Sequence, residues 1–168
     1  MKTNVTIEEI INGQKHEPEQ LAGWQIALRE WLLPKISSRA LKCLWDAVKT
    51  DSPALTNKIG VYALPKGQLK GEGQRDTDKC LSADLFGFLA WCSGGYETIS
   101  EVFTWRAHLL LLFRKEAINK PDSIVTNAHI DDLLYWWWGT ERHESFRQLD
   151  REITRYVNNL FLQNYKSN

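Results

Sequence analysis

Three cysteines, Cys43, Cys80 and Cys92, are too few and too scattered for a disulfide framework, and no Cys-x-x-Cys pair supplies half of a zinc site. An odd, unpatterned thiol set predicts a reduced, cytoplasmic protein. Glu8 and Glu9 stand where a secretory leader has its apolar stretch, so no leader is expected. The longest apolar run, Leu109 to Phe113, is far short of the roughly 20 residues that span a bilayer. Catalytic patterns are missing as well. There is no His-Glu-x-x-His, no Gly-x-Ser-x-Gly elbow, no Gly-Lys-Ser/Thr behind the glycines of 65–75, and no arginine five residues ahead of a histidine. Each cysteine lies on or beside an apolar helical face, and His108, His129 and His143 gain no third metal ligand by spacing. A non-catalytic protein without metal or cofactor is the expectation.

Net charge is also absent: 21 basic side chains balance 21 acidic ones, so no whole-molecule field favours a polyanion. The balance is uneven along the chain. Residues 35–79 carry nine basic and five acidic side chains, which confines any phosphate contact to a local surface. Methionine is nearly missing, with one residue against eight tryptophans, and that contrast favours rigid packing or broad aromatic contacts over an adaptable groove.

What the chain does have is helical periodicity. Thr6 begins a short helix through Ile7, Ile10 and Ile11, and Pro18 opens a second whose stripe is Leu21, Trp24, Leu28, Trp31 and Leu32, stopped at Pro34. Ser37 or Ser38 caps a third carrying Leu41, Leu44, Trp45 and Val48. Ser52-Pro53 starts a weaker one with Ala54, Leu55, Ile59 and Tyr62. Residues 65–75 form a basic, glycine-rich loop expected to be mobile. Asp78 is the predicted cap of a helix through Leu81, Leu85, Phe88, Leu89 and Cys92, ended by Ser93-Gly94-Gly95. A Thr98-x-x-Glu101 capping box opens a helix toward Asn119 that is apolar over most of its circumference, and that helix is expected to be the most buried.

Asn127 or Asp122 begins the helix that ends in Trp136-Trp137-Trp138-Gly139. Ile130, Leu133, Leu134 and Trp137 fall at i, i+3, i+4, i+7, so Trp137 belongs to the core, while Trp136 and Trp138 flank it and are candidate interface residues. Gly139 is read as a left-handed stop and Thr140 as the cap of a last helix, Glu141 to about Tyr165. The spacing predicts an all-α bundle of about six to seven helices, as one body or two lobes, without a sheet. The division is 1–64 as an N-terminal helical lobe, 65–75 as the loop, and 76–168 as a C-terminal bundle.

Arg147, Arg151 and Arg155 recur at i, i+4, i+8 on that last helix, and such a row suits bidentate contacts along a phosphate backbone. Glu144, Asp150 and Glu152 lie three or four residues away and offer a plainer account, surface ion pairs. Arg39 and Lys42 make a second basic row, joined by Lys49.

The run Val125-Thr126-Asn127-Ala128-His129-Ile130-Asp131-Asp132-Leu133-Leu134-Tyr135-Trp136-Trp137-Trp138-Gly139, followed by a charged helix, resembles the closing segment of the CasB-type small subunit of type I-E CRISPR Cascade complexes. Arg39-Ala40-Leu41-Lys42 after a tryptophan-bearing helix is similar too. The resemblance covers about forty residues most clearly. It implies a non-catalytic, all-helical subunit, present in two copies in a ribonucleoprotein, touching other effector subunits and the phosphates of guide RNA, target DNA or displaced strand. Thr140 and Glu141 stand where that family usually carries basic side chains, which leaves Arg142, His143 and Arg147. The phosphate-contacting set is then Arg39, Lys42, Arg142, Arg147, Arg151 and Arg155. A small helical inhibitor or immunity protein, acting through exposed tryptophan and arginine, is the alternative. A helical enzyme assembled from distant residues is a third.

Overall fold

The computed structural model describes residues 20–119 and 124–166, and there the protein is predominantly all-α. Gly23–Ala27, Leu28–Leu32 and Leu33–Lys35 run on as one helical stretch, α1, whose middle turn is π-helical. α2 is Ser38–Lys49, α3 Leu85–Ser93, α4 Ile99–Asn119, α5 Asn127–Gly139 and α6 Arg142–Lys166. The expected helix at residues 7–13, the start at Pro18 and the stop at Pro121 lie outside the described residues.

Pro34 does not stop α1. The helix widens one turn earlier, where the Leu33 amide reaches the Leu28 carbonyl, and continues through the proline to Lys35. A π-turn loosens the backbone against which a proline ring otherwise clashes. At its other end α1 lies so close to α5 that a Cβ on Gly23 would stand 1.9 Å from Asp132 Oδ2. Only glycine fits there, and the closeness lets the Trp24 and Trp136 rings stack at 4.1 Å, 3° from parallel.

Ser52-Pro53 opens no helix. Residues 54–56 pair with Ala83 instead: the Ala83 amide donates to the Ala54 carbonyl and the Thr56 amide to the Ala83 carbonyl, both at 2.9 Å. Val61–Tyr62 then forms β1, antiparallel to β2, Ser82–Ala83, with Val61 opposite Ala83. This two-stranded sheet is a minor addition to the helices, won by tertiary pairing over local preference. On the outer edge of β1 the Gln74 carboxamide accepts from the Ala63 amide at 2.9 Å and donates to the Val61 carbonyl at 2.7 Å. The 65–75 loop is thereby fastened near its end, and Ser82 Oγ takes the Gly67 amide at 2.9 Å near its beginning.

The cap of α3 is Asp84, not Asp78. Asp84 Oδ1 accepts the Gly87 amide at 2.9 Å, while Arg106 grips both carboxylate oxygens at 2.7–3.0 Å. Either aspartate fits the local cap pattern. The buried one prevails because an arginine neutralises it, and Asp78 instead pairs with Lys70 at 3.2 Å. α3 is also the central helix, buried from Leu85 through Ala90. α4, expected to be the most buried, is not: Val102 and Phe113 are buried, but Phe103, Trp105, Leu111 and Leu112 are about half exposed. One helix of that length has more apolar circumference than its two neighbours can cover. The Thr98/Glu101 capping box is present as expected, with the Glu101 amide 3.3 Å from Thr98 Oγ1.

The main core draws Leu28, Leu32, Leu44, Leu89, Leu133 and Leu149 from five helices on both sides of the 65–75 loop. Each fully buried leucine contributes about 1.5–3 kcal/mol. A smaller cluster, including Val61, Cys80, Ala83 and Val102, lies under the sheet. None of the described helices is long and apolar enough to cross a membrane.

Candidate nucleic-acid interface

α6 buries Phe146, Leu149 and Ile153 on one side, and this places Arg147, Arg151 and Arg155 on its exposed outer side. Helical geometry turns successive members of an i, i+4 row by about 40°, so the three sweep obliquely across that surface. Arg147 is paired within the helix, its Nε 3.0 Å from Glu144 Oε2, and the same hydrogen bonding holds Glu144 below the usual carboxylate range. Arg151 and Arg155 make no hydrogen bond or ion pair among the described residues. Arg155 instead borders a cavity of about 260 Å³ with Arg29, Glu30, Glu152 and Tyr156.

Glu152, one turn from this face, is a structural group. It is buried and accepts from Arg29 at 2.6 and 2.9 Å and from Gln25 at 3.2 Å, tying α6 to α1. Burial works to raise its pKa, and the hydrogen bonds from Arg29 and Gln25 outweigh it, leaving the carboxyl below its ordinary value.

α2 adjoins α6 through Trp45, whose Nε1 donates to Asp150 Oδ1 at 2.7 Å. Arg39 and Lys42 are exposed on α2, and Lys49 caps the Trp45 ring at 3.5 Å from its centroid. Lys49, Asp51, His143, Phe146, Arg147 and Asp150 surround a depression of about 280 Å³ between the two helices. The two basic rows therefore lie on adjoining helices, interrupted by Asp46 and Asp150.

Arg142 stands apart from them. Its Nε donates to Asp51 Oδ1 at 2.8 Å, its other nitrogens to the Ser52 and Leu55 carbonyls, and its guanidinium sits 4.3 Å from the Phe146 ring centre. The hydrogen bond from Arg142 holds Asp51 below the ordinary carboxylate pKa. Arg142 fastens the turn after α2 onto the start of α6, and its donors are largely spent there.

Of the flanking tryptophans, Trp136 faces inward: it is stacked on Trp24 and its Nε1 donates to Gln148 Oε1 at 2.7 Å. Trp137 fills the core as expected, its Nε1 on the Thr56 carbonyl at 2.9 Å. Trp138 is 54% exposed, beside Tyr135 at 66%. Gly139 ends α5 without a left-handed turn. Thr140 continues extended, and the cap of α6 is Glu141, which takes the Glu144 amide at 3.2 Å.

Groups with chemical potential are engaged elsewhere. His129 Nδ1 accepts the Thr126 amide at 3.1 Å in a capping box, and burial pushes the Cys80 thiol to about 11 and the Cys92 thiol to about 12. No group of three possible metal ligands forms among the described residues. A feature that the hydrophobic pattern concealed is the exposed aromatic and aliphatic flank of α4. The one clue to it was the excess of apolar residues over what one helix face can bury. No family model matches the chain, no curated protein matches it, and no solved structure matches it.

Proposed function

We propose that this protein is a non-catalytic helical subunit of a nucleoprotein effector, of the CRISPR small-subunit kind that its tryptophan-rich helix resembles, contacting phosphates with the outer side of α6. The observation that carries this reading is the pair Arg151 and Arg155, exposed, aligned, and without an ion pair among the described residues. Arg39 and Lys42 on the adjoining helix extend the same surface, and Arg147 joins it by exchanging Glu144 for a phosphate. Arg142 is left out of the phosphate-contacting set because its guanidinium holds the 51–55 turn. Contacts of this kind position a chain on a backbone without reading bases.

A second reading, a protein-binding inhibitor or immunity protein, is favoured by Tyr135 and Trp138, which share an exposed side of α5 and suit a partner's pocket. Affinity purification from the native host at low salt, reading protein and nucleic acid together, separates the two. The nucleoprotein reading expects effector subunits with a discrete guide RNA. A single protein partner without nucleic acid overturns it in favour of the second. Within a complex that retains nucleic acid, Arg151→Glu with Arg155→Glu is expected to lower the slope of log affinity against log salt by about 0.7–0.9 for each phosphate no longer neutralised. An unchanged slope removes α6 from the nucleic-acid surface.

A further inference from the structure

Glu101, Trp105, His108, Leu112 and Lys115 are all exposed on α4 and follow one another at intervals of four, three, four and three residues. This is the spacing of a helix–helix seam, in which each side chain returns to the same line along the surface. Leu111, 65% exposed, broadens the seam next to Leu112. The pattern also has a direction: an acid at one end, a base at the other, apolar groups between.

That order is self-complementary. When a second α4 lies antiparallel with its midpoint at His108, residue numbers facing each other sum to twice 108. Glu101 then faces Lys115 of the second copy, Trp105 faces Leu111, Thr104 faces Leu112, and the two His108 side chains meet on the axis. Every apolar group of the seam finds an apolar or neutral group, and each charge finds its opposite twice over. Beside Trp105 lies an open cavity of about 270 Å³, bordered by Ala90, Ser93, Tyr96, Leu109 and Leu112, with Tyr96 stacked on Trp105 at 5.1 Å. It offers the opposing leucine a place to insert.

We propose that α4 is a homodimer surface, on which two copies of this chain pack antiparallel about a two-fold axis at His108. The contact is isologous and closes on itself, so it yields a dimer, not a filament. It does not depend on the nucleoprotein reading, since neither Arg151 nor Arg155 takes part.

The test is the mass and dissociation constant of the full chain by sedimentation across a concentration series. A reversible dimer is expected. Lys115→Glu sets Glu101 against a second acid at both ends and is expected to raise the dissociation constant about tenfold at low salt, less at high salt. Adding Glu101→Lys restores the pairing in the opposite sense and recovers dimerisation. Because Glu101 also caps α4, circular dichroism below the unfolding temperature confirms that the double variant is folded. Leu111→Asp abolishes the dimer, whereas Phe103→Asp, on the opposite side of α4, leaves it unchanged. A chain of single mass at every concentration overturns the proposal, as does a dimer indifferent to Lys115→Glu and Leu111→Asp or dissolved by Phe103→Asp.

Discussion

Asp84 joins three parts of the molecule, and its removal has a size that the surroundings set. Its carboxylate caps α3 through the Gly87 amide, accepts the Gly60 amide at 3.0 Å next to β1, and takes a two-point grip from Arg106 of α4. Side-chain exposure is 4% for Asp84 and 13% for Arg106, so water replaces little of what is removed. Asp84→Ala forfeits a helix cap, about 1 kcal/mol. It also strands a nearly buried guanidinium, about 3–5 kcal/mol. The expected cost of about 4–6 kcal/mol is a large fraction of the roughly 5–15 kcal/mol of a typical domain. Asp84→Asn keeps an acceptor for the Gly87 amide, loses the charge, and belongs in between. Asp78→Ala, whose partner Lys70 is 43% exposed, costs under about 1 kcal/mol. Urea unfolding followed by tryptophan fluorescence measures all three. If Asp84→Ala is no more damaging than Asp78→Ala, the assignment of the cap and the account of the Arg106 pair are both wrong.

The Trp24–Trp136 stack predicts that Trp24→Ala costs about 2–4 kcal/mol and Trp138→Ala less than about 0.5 kcal/mol, measured as shifts of the urea midpoint. Equal effects contradict the inward placement of Trp136. Glu152 has a depressed folded pKa, so its contribution is complete above the unfolded glutamate value of about 4.3 and is lost as pH falls through the folded value. Stability of the parent chain therefore declines over that acid range more steeply than stability of Glu152→Gln, and parallel pH profiles refute the assignment.

Helix content was legible because the stripes at Leu28 and Leu32, at Leu44 and Val48, and at Phe146, Leu149 and Ile153 repeat at the helical period and nothing competes with them. Trp137 was placed correctly by the same spacing. The segment 52–62 was not legible, because its partner, Ala83, is more than twenty residues away and local pattern carries no trace of that pairing. Asp78 and Asp84 could not be told apart for a related reason: the cap is decided by Arg106, itself placed by α4. Burial of α4 was overestimated because periodicity tells which residues are apolar but not how many neighbours exist to cover them. At the candidate site, exposure of Arg147, Arg151 and Arg155 followed from the stripe beside them. The diversion of Arg142 to the 51–55 turn depended on carbonyls no pattern announces.

The edge of the small sheet has a consequence for how the chain behaves in company. A strand margin with unpaired peptide groups recruits other strands, and proteins blunt such margins by charge, proline, bulges or cover. Here one carboxamide serves as the cover, since Gln74 presents to Val61 and Ala63 the same donor and acceptor that a further peptide unit presents. The lattice of backbone bonds is brought to an end by a side chain that can extend it no further. A glycine-rich loop that carries no strand thus closes the margin against templated growth, and protection from misassembly resides in a single amide.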